Sequence, residues 1–319
     1  EVVDGGGNVV LTRVGEHESG HFGESVLGLS DLDGDSVPDF LVGAGGDDYL
    51  GKAVGAAYLL SGADTSLIDQ SYGIYTSDFW GSVLAPMPDV NGDGTKDFIV
   101  SSGVSDSPWL SDVGRIKVLS GTNLAWVLGT VLGTNEDDKL GKAVAPLADV
   151  YGNGTPGFVA GIPAAGIDPV SKAGAVRVYH YGGGLIREIT ETTPDKNAKF
   201  GKALAAVGDV DGDNITDFVV GAPDAKVDVS DDSIVDAGRV TLVSTATGSV
   251  VWTVEGTIPE MHLGRSLALT KDWNGDGLRD IAVGAPGDNP RGRLGAGSVH
   301  ILSVVNGDFI RRFAGRRGL

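Results

Sequence analysis

Asp209-Val210-Asp211-Gly212-Asp213-Asn214-Ile215-Thr216-Asp217, followed by Phe218-Val219-Val220-Gly221-Ala222-Pro223, decides how the whole chain is read. Carboxylates stand at positions 1, 3, 5 and 9 of a nine-residue loop. Gly212 at position 4 permits a tight turn, and Asn214 at position 6 tolerates a left-handed backbone. Acidic oxygens converging around such a turn suit a hard cation such as calcium, with the Ile215 carbonyl as a further ligand. The apolar run after the loop is short and β-branched and ends in Gly-Ala-Pro, so it predicts a buried strand. The likeness to an EF-hand loop is partial, because position 12 is Val220 rather than a bidentate Glu and no helical period flanks the loop. The stretch predicts a calcium loop inside a β-hairpin.

The loop recurs at Asp31, Asp89, Asp149, Asp209 and Asp272, at spacings of 58, 60, 60 and 63 residues. An X-Gly pair opens each unit: Phe22-Gly23, Trp80-Gly81, Leu140-Gly141, Phe200-Gly201 and Leu263-Gly264. After each acidic loop comes a strand ending near Gly-Ala, then a variable segment, then a Gly-led strand such as Gly238 to Val243, and then a fourth strand such as Val250-Val251-Trp252-Thr253-Val254. Internal repetition on this scale marks a repeat architecture. Each unit reads as four short strands joined by hairpins, with no sustained helical period.

The order Phe-Gly, Asp-x-Asp/Asn-x-Asp-Gly-x-x-Asp, Val-Gly-Ala-Pro resembles the FG-GAP repeat of integrin α-subunit β-propellers. The resemblance covers about residues 20 to 305 and recurs five times in register. It implies an all-β fold, a β-propeller of four-stranded antiparallel blades that bury their faces against one another. The integrin-like arrangement has seven blades, but 319 residues at this spacing support five. The expected blades are 21–77, 78–137, 138–198, 199–260 and 261–319, in a single domain over 1–319. Residues 1–20 are expected to supply a closing strand. The basis is spacing: Gly7-Asn8-Val9-Val10-Leu11-Thr12-Arg13 begins 16 residues before Gly23, as Gly248-Ser249-Val250-Val251-Trp252 begins 16 before Gly264. Gly307-Asp308-Phe309-Ile310-Arg311-Arg312-Phe313 has the same character, so five blades have six candidate fourth strands. N-terminal closure with a loosely held C-terminal tail is the expectation.

Four copies keep an oxygen ligand at all four loop positions. They are Asp31, Asp33, Asp35 and Asp39; Asp89, Asn91, Asp93 and Asp97; Asp209, Asp211, Asp213 and Asp217; and Asp272, Asn274, Asp276 and Asp280. The main-chain carbonyls of Val37, Thr95, Ile215 and Leu278 complete these candidate sets. An Asx-rich turn without metal fits one such loop, but carboxylates packed this closely repel one another without a cation. About four calcium ions are therefore expected, in a structural role. The third copy, Asp149-Val150-Tyr151-Gly152-Asn153-Gly154-Thr155-Pro156-Gly157, lacks the ligands at positions 3 and 9 and is expected to keep the turn without calcium.

The net charge of −19 argues against nucleic acid and anionic membrane surfaces as partners. No cysteine is present, which removes disulfides, zinc-thiolate sites and cysteine nucleophiles. No signal peptide and no run of 18 apolar residues appears, so no membrane insertion is expected. The sequence opens mid-pattern at Glu1, so an upstream region is expected to have preceded it. Millimolar extracellular calcium would fill such loops more readily than cytosol, which favours an extracellular or cell-surface location.

Function is expected in the variable segments, Gly45 to Val54, Gly103 to Val113, Pro163 to Ala173, Pro223 to Ala237 and Pro286 to Ala296. The fourth carries Asp224, Asp228, Asp231, Asp232 and Asp236 with Lys226 as its only base, and reads as a solvated acidic loop or a docking site for a basic ligand. Trp109 reads as a contact for a sugar or protein partner, or as a cover folded back over its blade. Arg291 and Arg293 are weaker candidates for holding a carboxylate or sulfate. Trp80 and Trp252 lie on strands and read as core. His17, His21, His180, His262 and His300 have no metal-type spacing, and no nucleophile elbow or phosphate loop occurs. The leading reading is a non-enzymatic, calcium-stabilised adhesion or recognition scaffold that takes a protein or glycan ligand on the variable-loop rim. The alternatives are a sugar-binding lectin propeller, which needs aromatic-lined pockets, and a domain attached to a polysaccharide-active enzyme.

Overall fold

The computed structural model describes residues 2–3, 6–167, 170–229, 232–292 and 295–315. Backbone contacts divide the chain into two compact units, Glu1–Gly141 with Tyr181–Gly183 and Lys142–His180 with Gly184–Leu319. The first unit holds two four-stranded antiparallel sheets. Blade 1 is Phe22–Gly28, Phe40–Ala44, Ala56–Leu60 and Leu67–Tyr72, and blade 2 is Val83–Pro86, Phe98–Ser102, Arg115–Ser120 and Asn123–Leu132.

The second unit holds three more such sheets. Blade 3 is Val144–Leu147, Gly157–Ile162, Ala175–His180 and Leu185–Ile189. Blade 4 is Ala203–Gly208, Asp217–Ala222, Arg239–Val243 and Val250–Glu255, and blade 5 is Ser266–Leu269, Ile281–Ala285, Ser298–Leu302 and Phe309–Ala314. The chain is all-β, and each sheet has the sequential four-stranded order of a propeller blade. The helix assigned among the described residues is the short 3-10 turn Pro290–Gly292.

The second strand of blades 1 to 4 reads as a continuous apolar run because it is covered on both faces, whereas in blade 5 buried residues alternate with half-buried ones. In blade 4, Phe218 and Val220 pack with Val159, Val176 and Val178 of blade 3. Val219, on the opposite face, packs with Leu242 and with Ile281 and Val283 of blade 5. In the first unit, Leu41 and Leu59 pack with Phe98, Val100, Leu119 and Trp80. Period-two alternation therefore points apolar side chains in two directions, each into a different core.

The two glycine motifs meet across blades. Gly201, the X-Gly residue of blade 4, has φ +89°, and a Cβ added there would lie 2.6 Å from the carbonyl oxygen of Ala175 and 3.1 Å from the Cα of Gly161. Gly264 faces Gly221 in the same way, and in the first unit Gly81 faces Gly43. The Phe-Gly of one blade thus packs on the Gly-Ala of the blade before it. Ser101 replaces that glycine in blade 2, and its hydroxyl reaches the carbonyl of Gly141 at 2.9 Å.

The expected N-terminal closing strand is a point of correction. Phe309–Ala314 is the fourth strand of blade 5, with Ser298 opposite Ala314 and Val299 opposite Phe313. Val9–Leu11 pairs instead with Val2–Val3 in a separate two-stranded sheet. The C-terminal strand is reached through a tight turn, closed by bonds from Ser303 N–H to the Asp308 carbonyl (2.8 Å) and from Gly307 N–H to the Ser303 carbonyl (2.9 Å). Recruiting a strand from the other end of the chain would cost about 3 kcal/mol more in loop-closure entropy. The C-terminal segment is therefore an integral strand rather than a loose tail.

Candidate functional site

In every blade the acidic loop joins strands one and two and the variable segment joins strands two and three. Antiparallel order places these at opposite ends of the blade.

The acidic loops share one hydrogen-bond plan. In loop 4, Asp209 Oδ1 accepts from Gly212 N–H (2.7 Å), and Oδ2 accepts from Asn214 N–H (2.8 Å). Asp213 Oδ1 accepts from Ile215 N–H at 2.8 Å. Asp217, wholly buried, accepts from Val210 N–H (3.0 Å) and from Thr245 N–H beyond strand three (3.1 Å). Position 9 therefore ties the loop to the following hairpin. Loop 1 repeats the plan, with Asp31 bound by Gly34 and Ser36 N–H, Asp35 by Val37 N–H, and Asp39 by Leu32 and Gly62 N–H.

These contacts bring three carboxylates together in two loops. Ligand oxygens of Asp31, Asp33 and Asp39 lie within 4.8 Å of one another, as do those of Asp209, Asp211 and Asp217. The cluster is electrostatically costly as it stands. Burial first, and then the charges of Asp211 and Asp213, push the Asp217 carboxyl up to about 6. Such a donor set, all oxygen and anionic, fits a hard divalent cation.

Loops 2 and 5 carry an amide at position 3. Asn91 Nδ2 donates to Asp93 Oδ2 (2.9 Å), and Asn274 Nδ2 donates to Asp276 Oδ2 (2.8 Å). The N–H groups of Thr95 and Leu278 hold Asp93 and Asp276 below the usual carboxylate range, aided by these amides. The first-position carboxylates are held as in loop 4, Asp89 by Gly92 and Gly94 N–H and Asp272 by Gly275 and Gly277 N–H. Asp97 and Asp280 are wholly buried, and burial raises both. Asp280 Oδ1 has no hydrogen-bond partner.

Loop 3 keeps only the turn. Asp149 accepts from Tyr151, Gly152 and Gly154 N–H at 2.9, 2.9 and 2.7 Å, and Asn153 accepts from Thr155 N–H. Burial opposes the Asp149 charge, but these N–H groups outweigh it and hold the group low. At position 9, a Cβ on Gly157 would collide with the Tyr179 carbonyl and Val150.

The variable segments differ from one another. Trp109 is 90% exposed and does not fold back over its blade. Trp80 and Trp252 are buried, with their ring N–H groups donating to Ser71 Oγ and the Val304 carbonyl. The fourth segment forms a ribbon, Val227–Val229 paired with Asp232–Ile234, and Asp224 is paired by Lys199 and His262. Asp231 and Arg293 lie outside the described residues.

A cavity of about 220 Å³ in blade 1 was not anticipated. Phe22, Tyr49, Tyr58 and Tyr72 line it, together with Arg13, Glu16, His17, Asp47 and Gln70. Buried Asp47 accepts from Tyr58 OH (2.6 Å) and Tyr49 N–H (2.9 Å), and it pairs with His17 Nδ1 (2.9 Å). Burial would raise the Asp47 carboxyl, but these bonds reverse the shift and lower it. The signal in the sequence was compositional: four of seven tyrosines, Tyr49, Tyr58, Tyr72 and Tyr75, fall between residues 49 and 75.

Residues 200–243 and 263–302 match the family described as FG-GAP repeat. The chain carries FG-GAP repeats. It is 32% identical over 161 residues to Integrin alpha-V of Gallus gallus, an alignment covering 49% of this chain and 15% of that protein. Integrin alpha pat-2 of Caenorhabditis elegans is 30% identical over 236 residues, 65% of this chain and 18% of the relative. Phosphatidylinositol-glycan-specific phospholipase D of Bos taurus is 30% identical over 163 residues, 47% of this chain and 19% of the relative. The chain spans less than a fifth of the length of each of these relatives. The chain is thus integrin-like in its FG-GAP repeats, and its relatives include integrin alpha chains and one protein named as an enzyme.

Proposed function

We propose that this chain is a calcium-stabilised, integrin-like propeller that works without catalysis as an adhesion or recognition scaffold outside the cell or at its surface. The observation that carries the reading is the division of labour within the blades: a recurring acidic plan at one end, complete in four blades and reduced to its turn in blade 3, and unrelated segments at the other. Calcium would be held by Asp31, Asp33, Asp35 and Asp39, by Asp89, Asn91, Asp93 and Asp97, by Asp209, Asp211, Asp213 and Asp217, and by Asp272, Asn274, Asp276 and Asp280. The carbonyls of Val37, Thr95, Ile215 and Leu278 would serve as further ligands. The ion offsets the repulsion now borne by buried carboxylates and fixes the hairpin between strands one and two. The third loop takes no ion in this reading, because position 3 is Tyr151 and position 9 is Gly157, so two of the four ligand positions offer no side-chain oxygen suited to the ion.

The variable segments then supply the contacts to a protein or glycan partner, with exposed Trp109 a natural anchor. Binding to an array of matrix proteins and glycans, in calcium and again with chelator, tests the reading. Calcium-dependent hits support it, and a blank array in calcium overturns it.

A further inference from the structure

Blade 1 differs from the others in carrying the aromatic cavity. Its wall is a connected set of rings. Tyr49 and Tyr72 are stacked with centroids 5.6 Å apart, Tyr58 meets Tyr72 edge-on at 6.3 Å, and Phe22 lies 5.9 Å from Tyr58. Tyr49 is 62% exposed, so an apolar ring face stands at the mouth.

The polar groups of the lining are already matched in charge. Arg13 Nη2 bonds Glu16 Oε1 at 2.6 Å, and His17 faces Asp47. The Tyr72 hydroxyl donates to Gln70 Oε1 at 3.1 Å. A cationic ligand would meet Arg13 and His17, and an anionic one would meet Glu16 and Asp47. A neutral ligand with an apolar face and a rim of hydroxyls meets neither penalty. Tyrosine faces suit such a face, while guanidinium, carboxylate and amide groups offer donors and acceptors to hydroxyls. The volume accommodates a single six-membered ring.

We propose that this cavity binds one pyranose ring, packed against the exposed Tyr49 ring, which Tyr72 backs, and held at its hydroxyls by Arg13, Glu16 and Gln70. Tyr58, His17 and Asp47 are positioning residues: Asp47 anchors both Tyr58 and the backbone of Tyr49. The inference rests on the recognition reading above and narrows one ligand to a sugar at the first variable segment. The sugar could belong to a polysaccharide or to a glycoprotein, since the cavity reads one ring.

Saturation-transfer NMR with a panel of methyl pyranosides, on the whole chain in calcium, tests this. Ring protons of at least one pyranoside should receive saturation. Tyr49→Ala and Gln70→Ala should each weaken binding about tenfold, whereas Tyr49→Phe keeps the ring and should retain most of it. Unchanged thermal unfolding of the exposed Tyr49→Ala variant separates lost binding from lost fold. Saturation of no pyranoside, transfer to tetramethylammonium instead, or full binding by Tyr49→Ala overturns the proposal. Matrix-protein hits that survive Tyr49→Ala alongside a failed sugar test would sink the cavity proposal and leave the recognition reading standing. Competition by a purified polysaccharide, against competition by a glycoprotein before and after enzymatic deglycosylation, distinguishes the two sources.

Discussion

Replacing Gly201 by alanine measures how far blade-to-blade contact depends on the paired glycines. Gly201 and Gly208 belong to the same blade and have nearly identical φ, +89° and +90°. A Cβ at Gly208 meets nothing within 4 Å, whereas one at Gly201 lies 2.6 Å from the Ala175 carbonyl oxygen and 3.1 Å from the Cα of Gly161. The left-handed conformation costs both variants about 1–2 kcal/mol. Only Gly201→Ala must also push apart two backbones, an overpacking cost of about 1–3 kcal/mol more. For a unit of this size the difference amounts to roughly 2–12 °C in Tm. The assay is thermal unfolding of both variants at one saturating calcium concentration, followed by hydrogen exchange across residues 217–222 to locate the loss. Equal destabilisation of the two variants would refute the packing argument.

Three further outcomes follow from particular contacts. Asp47 holds the His17 imidazole above its usual pKa by a hydrogen bond, with Asp48 and Glu16 adding to it against partial burial. Folded His17 therefore binds its proton more tightly than unfolded His17, so its contribution is complete below about pH 6.5 and is lost as pH rises through the raised value. The Tm gap between the wild type and His17→Gln should shrink from pH 6 to pH 8.5, and a constant gap would contradict the pairing. Ending the chain after residue 308 removes the fourth strand of blade 5 and should speed amide exchange in Ser298–Leu302; deleting residues 1–11 should leave that exchange unchanged. Trp109→Ala should alter stability by less than about 0.5 kcal/mol, because the ring is 90% exposed; a larger loss would mean it packs on its blade.

Much of this fold was legible because each repeat writes its own boundaries. The position-9 aspartates were legible as candidate ligands from their regular spacing, but that they are also buried anchors, as Asp39 is for Leu32 and Gly62 N–H, depends on contacts that only folding makes. The Phe-Gly and Gly-Ala motifs were equally plain as punctuation, but their meeting across blades is a three-dimensional fact that no single unit encodes. Ring closure failed as a sequence inference because Val9–Leu11 and Phe309–Ala314 have the same β character, and only chain connectivity separates them. The residue before each X-Gly, His21, Phe79, Lys139, Lys199 and His262, shares a positive φ that its varied side chains conceal. The blade 1 cavity was missed for a related reason: it assembles Arg13, Tyr49 and Tyr72 from three separate segments.

Calcium stoichiometry tests the account most directly. Equilibrium dialysis of chelator-treated protein against rising calcium should give four ions per chain. Each filled site at a hundred times its Kd should add about 2.7 kcal/mol of stability. Asp211→Ala with Asp213→Ala should lower the count to three, and Asp149→Ala should leave it at four. Absence of calcium binding at millimolar concentration, or a count that falls with Asp149 and not with Asp211 and Asp213, would contradict the account.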